Sequence, residues 1–583
     1  MIYDLLATYR KISDGHTMAL DSYTLSNGLY IRLYKDNREP DVLLVEKDTP
    51  KSGDLYNWFR EVDFYSRIIE MNKAINKEKK IHSNNMYSVF FKHGRRQDTL
   101  IFDDKLSPEF EGRITRYFDA LANPKKEHIE ILKAYNFPDI DMETLQQNKD
   151  KVLSISDWLI KKVISYDFKS EVYIKLFFDV DISEYKRESD RYLIPRIFNC
   201  NDYNITLDNT LYGLSNTNMG LNAKKPYLEH KTARFKVPFR INIKDALDSK
   251  NMMEWLENQR SQGAETYSGY LNLDLEKQYT LSKNISEQIN AHFICLAKDK
   301  RTQKTIINDY DFMPGITDKI ASFTIKNYIR LRDFNEEVIN SRGVLETRVD
   351  EWFYNGNLKS NYYSEKPKVK SGFSSKQVEL LALSKTAMLN FFIKCDATSL
   401  RDCIDRVTLE LIKEAILSST YWAIDKTNIP CAINLRLSML KYFEIGGKEK
   451  VGDMIKPLWE KLKQKVIDNR TIENQICESD LEFYYAAGQL VRYLISLSQA
   501  QNINYNMIDP ILNARDSNKI KKELHGLIKK YSHAISADKK SKRTDALIAM
   551  VMGYYPDNPA EVEYDALIAG FASHNIIYYK EGK

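Results

Sequence analysis

The sequence predicts an α+β N-terminal region, built of mixed helices and antiparallel hairpins, followed by an all-α C-terminal helical bundle. Three observations carry that expectation. Hairpin-like runs rich in Val, Ile, Phe and Tyr, such as SVFFKH and HFICLAK, fall in the first three hundred residues. After Ser374 long segments with capping signals and helical apolar spacing follow one another almost without interruption. Between the two halves, Asn357 to Ser371 (NLKSNYYSEKPKVKS) is polar, basic and without period, the composition of a boundary. The expected divisions are 1–200 (an α+β N-terminal part), 201–370 (its continuation, with a basic loop) and 371–583 (the bundle).

Taken in order, Met1 to Ile12 reads as a helix, Tyr30 to Tyr34 and Val42 to Val45 as strands, and Asp54 to Ile75 as a helix ending in KEKK. MYSVFFKHGRRQDTLIFDD reads as a hairpin turning at His93 and Gly94, with Arg95 and Arg96 at its tip. Helical segments follow over Pro108 to Tyr135 and Leu153 to Ile164, then the strand VYIKLFFDVD. Asp245 to Gln259 reads as a helix, and AHFICLAKDKRTQKTIINDYDF as a second hairpin turning at Asp299 and Lys300. In the bundle, Ser374 with Gln377 and Ser479 with Glu482 match the capping-box pattern. Ser399 opens a helix between them. Phe483, Ala487, Leu490, Leu494 and Leu497 are spaced 4-3-4-3, and Ile520, Leu524, Leu527, Ile528, Tyr531 and Ile535 mark another apolar stripe. Asn558 with Pro559 is the expected start of the last helix.

With 43% hydrophobic and 29% charged residues over 583 positions, the composition is that of a soluble protein with two or three cores. Its six cysteines contain no C-x-x-C pair, which excludes zinc-ribbon spacing and points to free thiols in a reducing compartment. MIYDLLATYRKISDG lacks the apolar core of a signal peptide, and the nearly apolar window Ala546 to Tyr555 is far shorter than the ~18 residues of a membrane span. A cytoplasmic protein is expected, with no membrane partner.

Charge is concentrated in two places. Asn216 to Arg240 (NTNMGLNAKKPYLEHKTARFKVPFR) holds six cations against Glu229, an excess of +5 that equals the net charge of the whole chain. Its first half reads as a loop, and Thr232 to Ile241 as a strand in which Pro238 argues for an edge or bulge. The pattern suits a polyanion: Lys224, Lys225, Lys231, Arg234 and Lys236 to neutralise phosphates, and Asn216, Asn218 and Asn222 to bond base edges. Arg260 and Gln262, in the loop RSQGAETYSG, form a second candidate phosphate contact. Ser517 to Asp545 carries nine cations against three anions, with Lys521, Lys522, Lys529, Lys530, Lys540 and Arg543 as candidate ligands of single-stranded nucleic acid. Basic loops and helix faces also serve simply as solvated surface.

Catalytic signatures are sparse: the chain has no Walker-type G-x-x-x-x-G-K-[ST], no G-x-S-x-G and no H-E-x-x-H. The two D-x-D pairs, Asp179 with Asp181 and Asp309 with Asp311, would suit Mg²⁺ in a nuclease or nucleotidyl transferase. They equally suit strand ends and turns. A non-catalytic binding protein without cofactor or metal is the expectation, and a helical adaptor that binds only proteins is a third reading.

KKPYLEHKTARFKVPF, the hairpin HFICLAKDK with NDYDFMP, and the C-terminal FYYAAGQLVRYLISLSQA, AMVMGYYPD and ALIAGFAS together resemble the large subunit of type I-B CRISPR effector complexes (Cascade). The likeness runs from about Tyr203 onward. It implies a non-catalytic subunit at the crRNA 5′-handle end, whose α+β domain recognises the protospacer-adjacent motif in duplex DNA and assists unwinding and R-loop formation. The bundle then resembles the small subunit and holds the displaced strand. Implied partners are crRNA, target double-stranded DNA, the backbone, handle-binding and small subunits, and a separate helicase-nuclease. The zinc-binding cysteine cluster of some relatives is absent here. The family also implies separate production of the bundle by internal translation, for which Met439 and Met454 are candidate starts.

Overall fold

The computed structural model describes residues 1–14, 17–36, 38–94, 107–166, 168, 170–198, 200–215, 239–260, 264–299, 305–419, 428–468, 476–499, 505–537 and 541–580. They form two compact units, one of Met1–Lys283 with Asn290–Phe312 and one of Asn284–Ile289 with Met313–Lys583. The fold class is α+β in the N-terminal half and mostly helical in the C-terminal half.

The first unit opens with α1 (Ile2–Ser13) and α2 (Met18–Asp21), then β1 (Gly28–Leu33), β2 (Asp41–Val45) and α3 (Asp54–Ser66). Next come β3 (Ser88–His93), α4 (Ser107–Ala122), α5 (Lys126–Ala134), α6 (Met142–Ser154), α7 (Ser156–Ile164), β4 (Val172–Phe178) and α8 (Ile182–Leu193). Strands β1 to β4 make one sheet in the order β2-β1-β4-β3. Its central pair, β1 with β4, is parallel, with Gly28 opposite Tyr173 and Leu33 opposite Phe178. This pairing is not apparent from the hairpin signals, because a parallel pair needs a long crossover, here supplied by the intervening helices. Lys175 lies inside that central strand. It is tolerated because its ammonium sits 2.7 and 2.9 Å from the two carboxylate oxygens of fully buried Asp63, on α3.

Helix α3 ends at Ser66 rather than Ile75. Asn84 terminates it: its side-chain amide donates to Tyr65 O at 2.9 Å and Arg67 O at 2.7 Å, its backbone N–H donates to Ser66 O, and Arg67 turns extended to bridge Ser83. The second strand of the expected hairpin at Thr99 to Phe102, with Arg95 and Arg96, lies outside the described residues; β3 pairs with β4, antiparallel.

A second core in this unit gathers around α9 (Ile243–Gln259), whose Met252, Trp255 and Leu256 pack with Leu5, Leu6 and Tyr9 of α1. Asn242 caps α9 by accepting from Asp245 N at 2.8 Å. Arg10 then ties α1 to the same end through Asp245 and, at 2.7 Å, Asp248. Two small sheets flank it: β5 (Cys200–Leu207), β6 (Thr210–Leu214) and β7 (Ile241–Asn242), and β8 (Thr266–Asn272), β9 (Ile289–Lys298) and β10 (Thr305–Ile316) in the order β10-β9-β8. The expected hairpin around Asp299 is therefore present as adjacent strands β9 and β10.

Apart from Asn284–Ile289, the second unit runs from Met313 onward and so includes the polar stretch 357–371. The antiparallel pair β11 (Lys319–Ile325) and β12 (Glu337–Ser341), with α10 (Arg342–Tyr354), contributes Phe323, Ile339, Val349 and Tyr354 to the helical core. The polar stretch is wired in: Asn357 Oδ1 accepts from Lys370 N at 2.9 Å and Asn361 Oδ1 from Lys368 N at 2.8 Å, and both asparagines are 1% exposed. Buried side-chain amides satisfy its backbone where regular structure does not.

The helices that follow are α11 (Ser375–Phe392), α12 (Thr398–Ser418), α13 (Ile429–Tyr442), α14 (Val451–Ile455), α15 (Leu458–Lys463), α16 (Asp480–Ser496), α17 (Asp509–Leu512), α18 (Ser517–Ala537), α19 (Ser541–Gly553) and α20 (Tyr564–Ala572). The box at Ser374 and Gln377 forms with both bonds, at 3.2 and 2.8 Å. At Ser479 only half of it does: the hydroxyl accepts from Glu482 N at 3.2 Å, while the Glu482 carboxylate accepts from Glu478 N. Helix α12 starts at Thr398, one residue before Ser399. Asn558 and Pro559 form a turn rather than a helix start. Pro559 O accepts from Ser517 N at 2.8 Å, and α20 begins at Tyr564.

Helix α16 carries no one-sided stripe, since every residue from Glu482 to Ile495 is buried. It lies against α20 backbone to backbone: a Cβ on Gly488 would fall 2.6 Å from Phe571 N and closer still to Leu567 O, and one on Gly570 would strike Tyr485 O. At the centre Arg436 of α13, 1% exposed, donates to Asp565 of α20 through Nε at 2.7 Å and Nη2 at 3.0 Å, and to Thr408 and Asp405 of α12. One core thus runs from Phe323 to Ile577. Met439, fully buried within α13, and Met454, in α14, both lie inside this continuous structure.

Candidate nucleic-acid interface

The first charged stretch is framed by one sheet. Strand β6 leads into it and β7 leads out, and the two pair antiparallel with Gly213 opposite Ile241 and Tyr212 opposite Asn242. Both ends of the basic connection therefore leave from neighbouring strands. Asn216, Asn218, Asn222, Lys224, Lys225, Lys231, Arg234 and Lys236 lie outside the described residues, as does most of the strand expected over Thr232 to Ile241. Arg240, the last cation of the stretch, is half-buried and donates from Nε to Tyr203 O of β5 at 2.7 Å. It fastens the exit of the connection to its own sheet.

Arg260 follows α9 directly. Its Nη1 donates to Ala264 O at 2.6 Å while Nε is buried without a partner, so the guanidinium closes a loop instead of standing free. Gln262 lies outside the described residues.

Of the six expected cations four lie on α18, one on α19 and one outside the described residues. Lys522, Lys529 and Lys530 are exposed, and the first two, seven residues apart, share one face two turns from each other. Ile520, Leu524, Tyr531 and Ile535 of the same helix are buried in the core, so the lysines occupy its outer side. Lys521 belongs to the inner side. It is 9% exposed, donates to Met552 O at 3.2 Å, and lies 3.8 Å from the centroid of the Tyr555 ring. Desolvation lowers its pKa. Arg543, half-buried, donates to Ile577 O at 3.2 Å and Tyr579 O at 2.7 Å and so holds down the C-terminal segment. Lys540 lies outside the described residues. The sequence signals basic density over this segment, but sorting inner from outer lysines needs the orientation of the helix.

The acidic pairs are separated and engaged. Asp179, at the end of β4, accepts from Arg32 of β1 at 2.5 and 3.1 Å, and Asp181 caps α8 by accepting from Ser183 N at 2.8 Å. The hydrogen bonds from Ser183 hold the Asp181 carboxyl below its usual pKa. Asp309 and Asp311 lie on β10, in another sheet. Among the described residues no group of three or more His, Cys, Asp or Glu is placed to hold a metal ion. None of the described helices is long and apolar enough to cross a membrane.

Arg32 was not singled out by sequence patterns. Its guanidinium packs 4.1 Å from the Trp58 ring centroid, and Arg38 packs 4.0 Å from that of Tyr34. An arginine in a strand, a tryptophan in a helix and a tyrosine after the strand carry no shared spacing signal. Comparison of the chain with protein-family models, curated proteins and solved structures finds no match.

Proposed function

We propose that the chain is a non-catalytic, nucleic-acid-binding subunit, the large subunit of a type I-B Cascade. In this reading it recognises the protospacer-adjacent motif, aids unwinding and R-loop formation, and recruits the helicase-nuclease. The observation that carries the reading is α18, whose apolar side is committed to the core while Lys522, Lys529 and Lys530 face outward. Three ammonium groups on one outer helix side match phosphates along a strand, with the strong salt dependence that counterion release brings. The basic connection between β6 and β7 supplies the second surface, where Asn216, Asn218 and Asn222 read base edges and Lys224, Lys225, Lys231, Arg234 and Lys236 grip phosphates. Lys521, Arg260 and Arg543 serve the fold. Protein contacts to a few base pairs then start the opening that guide pairing extends.

The test is co-purification and binding of the full chain. A tagged chain is expected to bring down a crRNA and a repeated backbone subunit, and the assembled complex to bind duplex carrying the motif more tightly than duplex without it. Cleavage of labelled DNA or RNA by the lone chain with Mg²⁺, abolished by Asp309→Ala, would establish the nuclease reading instead. Failure to shift any nucleic acid even within the complex would leave the protein-only adaptor.

A further inference from the structure

A cavity of about 350 Å³ opens in the first unit between α4, α5, α8 and the segment 137–142. That volume lies within the range of small-molecule sites, which join an apolar lining to a few polar groups. Ile129, Leu132 and Phe137 supply apolar wall. Two polar residues, His128 and Arg196, line the same space.

The first is His128 of α5, 9% exposed, whose Nδ1 is enclosed and has no hydrogen-bond partner. Burial, reinforced by the positive charges of Arg196, Lys125 and Lys73, pushes its pKa down to about 4, so the imidazole is neutral at physiological pH. The second is Arg196, just after α8. Its Nη1 donates to Tyr192 O at 3.1 Å and its guanidinium lies 4.7 Å from the Tyr192 ring centroid, but it makes no ion pair among the described residues. A half-buried guanidinium without a carboxylate carries a charge that an anionic ligand would answer. Nearby Glu188 does not meet this need, because Arg191 neutralises it at 2.9 Å. Arg191 also donates to Pro138 O at 2.6 Å and Asp139 O at 3.2 Å, which fixes the rim.

We propose that this cavity binds a small amphiphilic anion, with an acidic headgroup on Arg196 beside His128 and an apolar body against Ile129, Leu132 and Phe137. The guanidinium thereby gains the counter-charge that the described residues do not give it, and the apolar wall is covered. The site is independent of the nucleic-acid reading.

The probe is 8-anilinonaphthalene-1-sulfonate, titrated by fluorescence into the full chain. One saturable site per chain is expected, displaced by decanoate at least tenfold better than by the neutral decanol. Parallel displacement by 2-naphthoate compares an aromatic body with an acyl chain. Arg196→Gln is expected to weaken the probe about tenfold or more, and Ile129→Trp to abolish the site by filling it. Thermal unfolding of each variant checks its fold, and the decanoate-to-decanol comparison on the unaltered chain needs no variant. Equal displacement by decanoate and decanol, no displacement by either acid, or unchanged binding in a folded Arg196→Gln chain would overturn the proposal.

Discussion

Replacing Gly488 by alanine tests the backbone contact between α16 and α20. The new Cβ would lie 2.6 Å from Phe571 N, where an ordinary van der Waals contact needs 3.4–4 Å, so the helices must part by roughly an ångström. Both obstructing groups, Phe571 N and Leu567 O, are backbone, and no rotamer change relieves them. Nor can α16 retreat freely, because it is buried on all sides from Glu482 to Ile495. Overpacking of a tight core costs about 1–3 kcal/mol and occasionally more. Against it stands a gain of about 1 kcal/mol from the better helix propensity of alanine. Since the obstruction is main chain, the upper part of the overpacking range applies, leaving a net loss of about 2 kcal/mol. Gly526 of α18 is the internal control: nothing lies within 4 Å of its Cβ position, so Gly526→Ala is expected to stabilise by up to about 1 kcal/mol. Hydrogen exchange of peptides from α16, α18 and α20 across a urea series reads these helices separately from the first unit. Gly570→Ala should resemble Gly488→Ala, and the double variant should lose less than the sum, since the first substitution already separates the helices. A Gly488→Ala chain as stable as Gly526→Ala would refute the argument.

Four further outcomes follow from individual residues. Lys522→Glu with Lys529→Glu is expected to lower affinity for single-stranded DNA regardless of sequence and to flatten its salt dependence, whereas Lys521→Glu should lower urea stability by burying a carboxylate; binding titrations at several salt concentrations and denaturation curves separate the two. Asn218→Ala or Asn222→Ala should weaken binding to motif-bearing duplex by about 1–3 kcal/mol per lost base contact with little change on other duplexes, as read by competition assays in the assembled complex. Asp565→Ala should cost about 1.5–3 kcal/mol by removing the bidentate partner of Arg436 while Asp405 still faces the guanidinium, measured by urea unfolding. His128, neutral in the folded chain with its pKa near 4, must take up a proton on unfolding below about pH 6.5. Its contribution to stability is therefore full above about pH 6.5 and is lost as the pH falls towards 4, by about 3 kcal/mol, and His128→Asn should flatten that part of the stability profile.

The sequence is most legible where one local rule decides the structure. Ser374 with Gln377 announces α11, and the apolar runs of β1, β2, β4 and β9 stand where alternation places them. It misleads where tertiary partners override local signals. Asn84, seventeen residues downstream of Arg67, stops α3 although the polar and apolar pattern continues to Ile75. Asn357 and Asn361 fasten the apparent boundary stretch through side-chain bonds that no composition reveals. In the bundle, basic density was visible, but Lys521 and Lys522 are adjacent in the chain and opposite in fate, because a single residue is 100° of helix. The cavity beside His128 and Arg196 had no signature at all, since its walls come from separate helices and a loop.

Arg436 joins α12, α13 and α20, and that knot bears on any shorter protein read from the same message. A polypeptide starting at Met439 or Met454 would retain Asp565, 8% exposed, but not the guanidinium that answers it. Such a fragment would inherit a carboxylate evolved for a companion it no longer possesses. To stand alone it must let water reach α20, protonate that group, or borrow a cation from whatever it assembles with.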